Sequence, residues 1–342
     1  MASLILTSDI LRVTRLSERL EIIRRVRDKD GERNETSHVP LFDIDRVIIL
    51  GQPSITMPAI TSLLDRGIPC FLLTARGRWR GTITPDNNLN AARRIRQYEQ
   101  GTDPEFTLRI ARVLVNAKIR NCRRVLQRLA ANRNAASGPE YEHSVQALKE
   151  YAKMAEQAET AEIARGAEGI AAALYFQRMA SYFPENMPFL KRTRRPPRDP
   201  ANALLSFGYT VVMSEVEGVI RSHGLDAAIG CLHTDKTNTP SLALDLMEPF
   251  RPAIVDLLVL NIVNHLMVKP EGSFEYHDDG GVYLNEDGRR SFFLAYEQSM
   301  CRRFAVSKDS AHTNLRRVID EQVCAYIRAL EQDVPMECFL LP

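Results

Sequence analysis

Four side chains in this sequence have the types and surroundings of a divalent-cation site: Glu168, His233, Asp245 and Glu248, interleaved with arginine-rich segments. A divalent cation needs acids and imidazoles converging from separate parts of the chain, and flanking guanidinium groups suit a phosphate backbone. Glu168 opens an apolar stretch of small residues, 166–176, where a carboxylate would be half buried and would need a partner. Taken alone, it also reads as a surface acid at an amphipathic boundary. His233 follows Gly230-Cys-Leu and precedes a polar turn, 234–238, and it is the best placed of the seven histidines. A single histidine is commonly a hydrogen-bonded structural residue, and Cys231 beside it has no companion cysteines to make a zinc site. Asp245 and Glu248 lie three apart, so they share a face if that turn is helical. The same pair fits a capping box, with Pro249 just inside the following helix.

The cations are grouped. Residues 191–198 hold five basic residues and two prolines, which makes a loop whose charges are costly without an anion nearby. Residues 93–133 carry eleven Lys/Arg against three acids, whereas 140–168 carry seven Glu against three bases. The net charge of +2 conceals this segregation, and a positive block of that kind attracts a polyanion or forms a solvated helix face. Two other motifs carry no chemistry. His277-Asp278 sits in a stretch whose Asp-Gly centre reads as a hairpin turn. The glycines form no phosphate-binding loop, so nucleotide use is not indicated.

The elements that must position these groups fall into two parts. At 342 residues the chain has room for about two domains. Short β-branched runs at 4–6, 10–14, 20–24, 47–50, 70–74 and 80–84 read as strands, with a helix at 57–65 closed by Gly67. From residue 87 the pattern turns helical. A long segment, 105–133, places Leu108, Ala111, Val115, Ile119 and Cys122 near one stripe and most arginines off it. Helices follow at 141–157 and at about 160–182, 201–222, 249–267, 289–304 and 311–331. The expected class is therefore α+β: a small β-rich domain over 1–86, then a larger all-α domain over 87–342. An apolar content of 44% with 26% charged residues is ordinary for a soluble protein, and no segment reads as a signal peptide or a membrane span. A cytoplasmic location is expected. The six scattered cysteines form no CxxC pair and argue against a disulfide framework.

Taken in order, these blocks resemble the CRISPR adaptation integrase family. Residues 40–51 and 67–73 are similar to its N-terminal β-domain, and Lys118-Ile-Arg-Asn121 sits where that family has a Lys-x-x-Asn helix. Residues 166–176, the stretch 195–209 beginning Arg-Pro-Pro-Arg-Asp-Pro, and 240–252 are similar to its catalytic blocks. The resemblance implies a metal held by Glu168, His233 and Glu248, with Asp245 as a supporting acid. It implies Mg²⁺ or Mn²⁺, and imidazole makes Mn²⁺ as good a fit as the harder ion. It further implies that Arg194, Arg195, Arg198 and Arg251 contact DNA phosphates. The implied reaction joins protospacer 3′-hydroxyls to a repeat array by direct transesterification. The implied partners are double-stranded DNA, a second copy bound through the β-domain, a small ferredoxin-like adaptation subunit and an adaptation nuclease. Two other readings of the same residues are a nuclease for branched DNA repair intermediates and a non-catalytic DNA-binding scaffold.

Overall fold

The computed structural model describes residues 2–28, 31–75, 77–85, 90–133, 138–233, 239–305 and 312–342. The chain divides into two compact units, 1–89 and 90–342. The expected domain boundary at 86/87 and the polar turn at 234–238 lie outside the described residues.

The first unit pairs two small sheets. Strands β1 (Ala2–Leu6), β5 (Ile44–Leu50), β6 (Cys70–Leu73) and β7 (Trp79–Ile83) form one sheet in the order β1-β5-β6-β7. β5 is parallel to both β1 and β6, and β7 closes the edge antiparallel to β6. The run Val47-Ile-Ile-Leu50 is buried throughout, as expected of a central parallel strand covered on both faces. The other sheet is an antiparallel meander of β2 (Ile10–Leu16), β3 (Arg19–Asp28) and β4 (Gly31–Pro40). Helix α1 (Met57–Leu64) contributes Ala59 and Leu63 to a core shared with Leu6, Val13, Leu20, Val47 and Cys70. β4 is absent from the sequence reading. Its residues are polar and almost all exposed, so no alternation announces it, and it exists because it pairs with β3 along its whole length.

The second unit is mostly helical. It comprises α2 (Ala91–Gly101), α3 (Pro104–Arg133), α4 (Pro139–Glu156), α5 (Ala161–Met179), α6 (Pro200–Ser222) and α7 (Ser241–Leu246). A π-helical segment, Arg251–Asp256, then leads into α8 (Leu257–Asn264), followed by α9 (Glu286–Cys301) and α10 (Leu315–Gln332). The expectation of an all-α domain needs one correction, because two short hairpins interrupt the helices. They are β8 (Phe274–Tyr276) with β9 (Val282–Leu284), and β10 (Phe304–Ala305) with β11 (His312–Thr313). The first holds the His277-Asp278 turn in its bend, as its Asp-Gly sequence indicates. The single helix expected at 249–267 begins as a π turn.

Helix starts follow local chemistry. Thr160 accepts a hydrogen bond from the Ile163 amide at the head of α5, and Asp199 accepts one from the Asn202 amide at the head of α6. Pro200 occupies the first turn of α6, where a missing amide proton costs nothing. By length and composition α6 could cross a membrane, but 72% of its apolar window is buried inside the unit, so it is a core helix. Ala111, Val115, Ile119 and Cys122 of α3 are buried as their spacing predicts. The arginines beside them do not form a free cationic stripe. Arg93, Arg94, Arg96, Arg112 and Arg123 donate to main-chain carbonyls of other elements, and Arg109 pairs with Asp333. Arg124 and Arg128 hold the carbonyl of Pro342. Much of the positive block thus stitches the unit together.

Candidate metal centre

The centre is assembled from three parts of the helical unit, and Asp245 fixes its geometry. Asp245 is fully buried on α7, and its carboxylate accepts hydrogen bonds from the backbone amides of Cys231, Leu232 and His233 at 2.5, 2.8 and 3.0 Å. It also takes His233 Nδ1 at 2.6 Å. The turn can come this close because residue 230 is glycine: a Cβ there would stand 2.7 Å from Asp245 Oδ2 and 2.9 Å from the Ser241 carbonyl carbon. With Nδ1–H committed to Asp245, the free lone pair of His233 is on Nε2, which faces Glu248 Oε1 at 3.9 Å. The capping-box reading of Asp245 and Glu248 is therefore wrong. α7 starts at Ser241, and the Asp245 oxygens answer a different segment of chain.

Glu248 lies just beyond α7 and is also buried. Arg251 Nε approaches its Oε1 at 3.0 Å, and Lys118 Nζ stands 2.6 Å from Oε2. The ammonium meets this buried oxygen as an ion pair, and a carboxylate oxygen has a further lone pair with which to accept. Burial alone would push the Glu248 carboxyl up, but the Arg251 and Lys118 cations beside it outweigh that and hold it well below the usual carboxylate range. Glu168, on α5, is the outermost of the acids, with its side chain 27% exposed, and it pairs with the same Lys118 ammonium. Burial pulls the Lys118 pKa down, and Glu248 and Glu168 together more than reverse that.

The three candidate ligands Glu168, His233 and Glu248 line one cleft of about 120 Å³ together with Lys118, Arg194 and Arg251. Two carboxylates, an imidazole and a buried oxygen with unspent acceptor capacity fit an Mg²⁺- or Mn²⁺-type ion. Of the four arginines expected at phosphates, Arg251 and Arg194 reach this cleft. Arg195 is exposed, and Arg198 donates to the carbonyl of Asp279 in the β8–β9 turn. The floor of the cleft was not anticipated. Tyr209 and Tyr175 donate to opposite oxygens of buried Asp256 at 2.5 and 2.9 Å. The Tyr209 ring carries Arg251 at 4.9 Å and Arg192 at 5.4 Å from its centroid. In the sequence Asp256 is merely an acid interrupting an apolar run. Lys118 stood out only within the Lys-x-x-Asn motif, whose Asn121 donates to the carbonyls of Pro249 and Phe339.

A second cluster, His223, Asp320 and Cys324, brings three donor atoms within 4.8 Å of one another. His223 Nε2 is 2.8 Å from Asp320, which is half exposed, and Arg93 binds the His223 carbonyl. These contacts tie the end of α6 to α10.

A strand-rich unit followed by a helical unit that gathers acids, an imidazole and guanidinium groups in one cleft is the architecture of a nucleic-acid-processing enzyme. The family model for CRISPR associated protein Cas1 matches residues 4–298, and the chain belongs to that family. It is 37% identical over 259 residues to the CRISPR-associated endonuclease Cas1 3 of Thermus thermophilus, covering 75% of this chain and 74% of that protein. It is 33% identical over 318 residues to a CRISPR-associated exonuclease Cas4/endonuclease Cas1 fusion of Geobacter sulfurreducens, covering 91% of this chain and 55% of the fusion. The chain thus spans about half the length of that relative. Among solved structures, a chain of a Cas6-RT-Cas1–Cas2 complex superposes with a TM-score of 0.78 at 25% identity, over 99% of this chain and 36% of that one. The family's curated members are named endonucleases, and the chain is an enzyme of that class.

Proposed function

We propose that this enzyme is a divalent-metal-dependent DNA integrase of CRISPR adaptation, with Glu168, His233 and Glu248 as its metal ligands. The observation that carries the reading is the Asp245 anchor, which turns His233 so that Nε2 faces Glu248 within the cleft that Glu168 lines. A bound Mg²⁺ or Mn²⁺ would activate the attacking hydroxyl and offset charge on the scissile phosphate. The chain's own groups do the rest. Asp245 fixes the imidazole, and Arg194 and Arg251 offer guanidinium groups to phosphate oxygens. Cys122 lines the cleft, but burial pushes its thiol well above the ordinary cysteine range, so no protein nucleophile is assigned. A protospacer 3′-oxygen forms the new bond to phosphorus as the target strand's own P–O3′ bond breaks, and the departing oxygen takes up a proton.

The proposed partners follow from the family. They are protospacer and repeat-array DNA, a second copy bound through the β-rich unit, and a small ferredoxin-like adaptation subunit. A Cas1–Cas2 complex among the structural neighbours supports the last, and the Cas4/Cas1 fusion supports an adaptation nuclease as a further partner.

Strand transfer tests the function. A short duplex with free 3′-hydroxyls is incubated with a supercoiled repeat-bearing plasmid, Mn²⁺ and the small subunit, using wild type and His233→Ala. Joined products that need both the metal and His233 are expected. Metal-dependent cutting without joining would favour a nuclease for branched repair intermediates. Binding with neither reaction would favour a scaffold.

A further inference from the structure

We propose that Lys118 is a resident counter-ion, which holds Glu168 and Glu248 in place before the divalent cation arrives and then yields to it. The proposal rests on the reading of those two acids as metal ligands. Lys118 comes from α3, Glu168 from α5 and Glu248 from the turn after α7, and the single ammonium approaches both carboxylates. Arg251, a second cation here, forms its ion pair with Glu248. Lys118 is therefore what bridges the two acids.

Three physical features mark it as a place-holder. The lysine side chain is 12% exposed and that of Glu248 only 5%, so without the ammonium a buried acid would lose a cation that stabilises its charge. The candidate ligands also stand apart: among the described residues only His223, Asp320 and Cys324 bring three donor atoms within 4.8 Å of one another. Glu168, His233 and Glu248 do not, and the Lys118 ammonium lies between the first and the last. Finally, the residue type suits departure. An ammonium on a four-carbon stem is a compact point charge with no fixed fork, whereas Arg251 is held over the Tyr209 ring. Glu168, Glu248 and Asp245 face Lys118 and Arg251, one negative charge beyond balance, so a divalent ion leaves the group with one positive charge in excess. Moving Lys118 off the carboxylates relieves that excess, and a nearby phosphate gives it a new partner.

The test uses the full chain without DNA and measures Mn²⁺ binding by calorimetry and melting temperature in chelator and in Mn²⁺. Lys118→Met keeps the stem and removes the charge. It is expected to melt lower in chelator, to gain more from Mn²⁺ than wild type does, and to bind Mn²⁺ on the order of tenfold more tightly. Lys118→Arg keeps the charge on a group that grips carboxylates with two donors, and it is expected to bind Mn²⁺ more weakly than wild type. Equal or weaker Mn²⁺ binding by Lys118→Met overturns the proposal. If that variant does not fold, wild-type affinity in Lys118→Arg overturns it instead. Failure of the metal reading itself would look different, since His233→Ala and Glu168→Ala would then bind Mn²⁺ as wild type does.

Discussion

Asp256 is a carboxylate sealed beneath the cleft with two phenols as its hydrogen-bond donors, and its environment makes a pH-dependent claim. Burial raises its pKa from the ordinary 3.8 to about 6, against the lowering effect of Tyr209, Tyr175, Arg192 and Lys118. The folded state thus holds this proton more tightly than the unfolded chain does. Its contribution to stability is complete below about pH 4 and is lost as pH rises through 6, amounting to roughly 3 kcal/mol. Asp256→Asn removes that titration. The melting temperature of wild type minus that of the variant is expected to fall between pH 4.5 and pH 8, and a flat difference would show an acid titrating as if in water. Asp245 makes a second claim at this scale. A helix cap replaced by alanine costs about 1 kcal/mol. Asp245→Ala instead strands three buried amides and an imidazole N–H, each worth about 1–3 kcal/mol. We expect a melting-temperature loss well beyond that of a cap, with strand transfer reduced as far as in His233→Ala. Glu168, His233 and Glu248 were singled out by residue type and by the family resemblance, and the structure brings the three to one cleft. Lys118 was one cation among eleven in its segment, marked in the sequence only by the Lys-x-x-Asn resemblance, and its pairing with Glu168 and Glu248 comes from the packing of α3.

At the scale of elements, two glycines set how closely backbone segments approach the centre. A Cβ at Gly230 would meet main-chain and carboxylate atoms of α7 under 3.0 Å, and one at Gly208 would stand 2.7 Å from Val255 in the π-helical segment. Gly230→Ala is expected to displace the turn that carries His233. Mn²⁺ affinity should fall, and overpacking should cost about 1–3 kcal/mol in unfolding by denaturant. Gly166 in α5 is the counter-case. Nothing lies within 4 Å of its would-be Cβ, so Gly166→Ala should stabilise the protein by up to about 1 kcal/mol through helix propensity alone. Equal effects from the two substitutions would contradict this picture. Periodicity exposed α3 most clearly, since Ala111, Val115, Ile119 and Cys122 are buried as their spacing selects while Leu108 is half-buried. It was silent where tertiary pairing decides, as in polar β4. It was also silent on π-helical 251–256, where the apolar pattern is unchanged and only the hydrogen-bond ladder differs.

Across the whole molecule, the division into 1–89 and 90–342 places every residue of the candidate centre in one unit. The β-rich unit has its own core around Val13, Leu20, Val47 and Leu63, and the helical unit has another around Tyr175, Phe250, Phe292 and Tyr326. The second unit also closes on its own C-terminal segment. Phe339 stacks on Phe250 at 5.6 Å, its amide donates to Gln322, and Leu341 donates its amide to Asn121. Asn121 in turn holds the Pro249 carbonyl, adjacent to Glu248. A fragment of residues 90–342 should therefore fold in a single calorimetric transition and bind Mn²⁺ with the affinity of the full chain. Shortening it at residue 334 removes the stacked ring and leaves the Asn121 and Gln322 side chains with unpaired groups in the interior, a loss of several kcal/mol. The shortened fragment should melt far lower and bind Mn²⁺ poorly, although every candidate ligand is still present. If the longer fragment fails to fold, the two cores are not independent. If the shorter one binds Mn²⁺ normally, the C-terminal segment plays no part in holding Glu248.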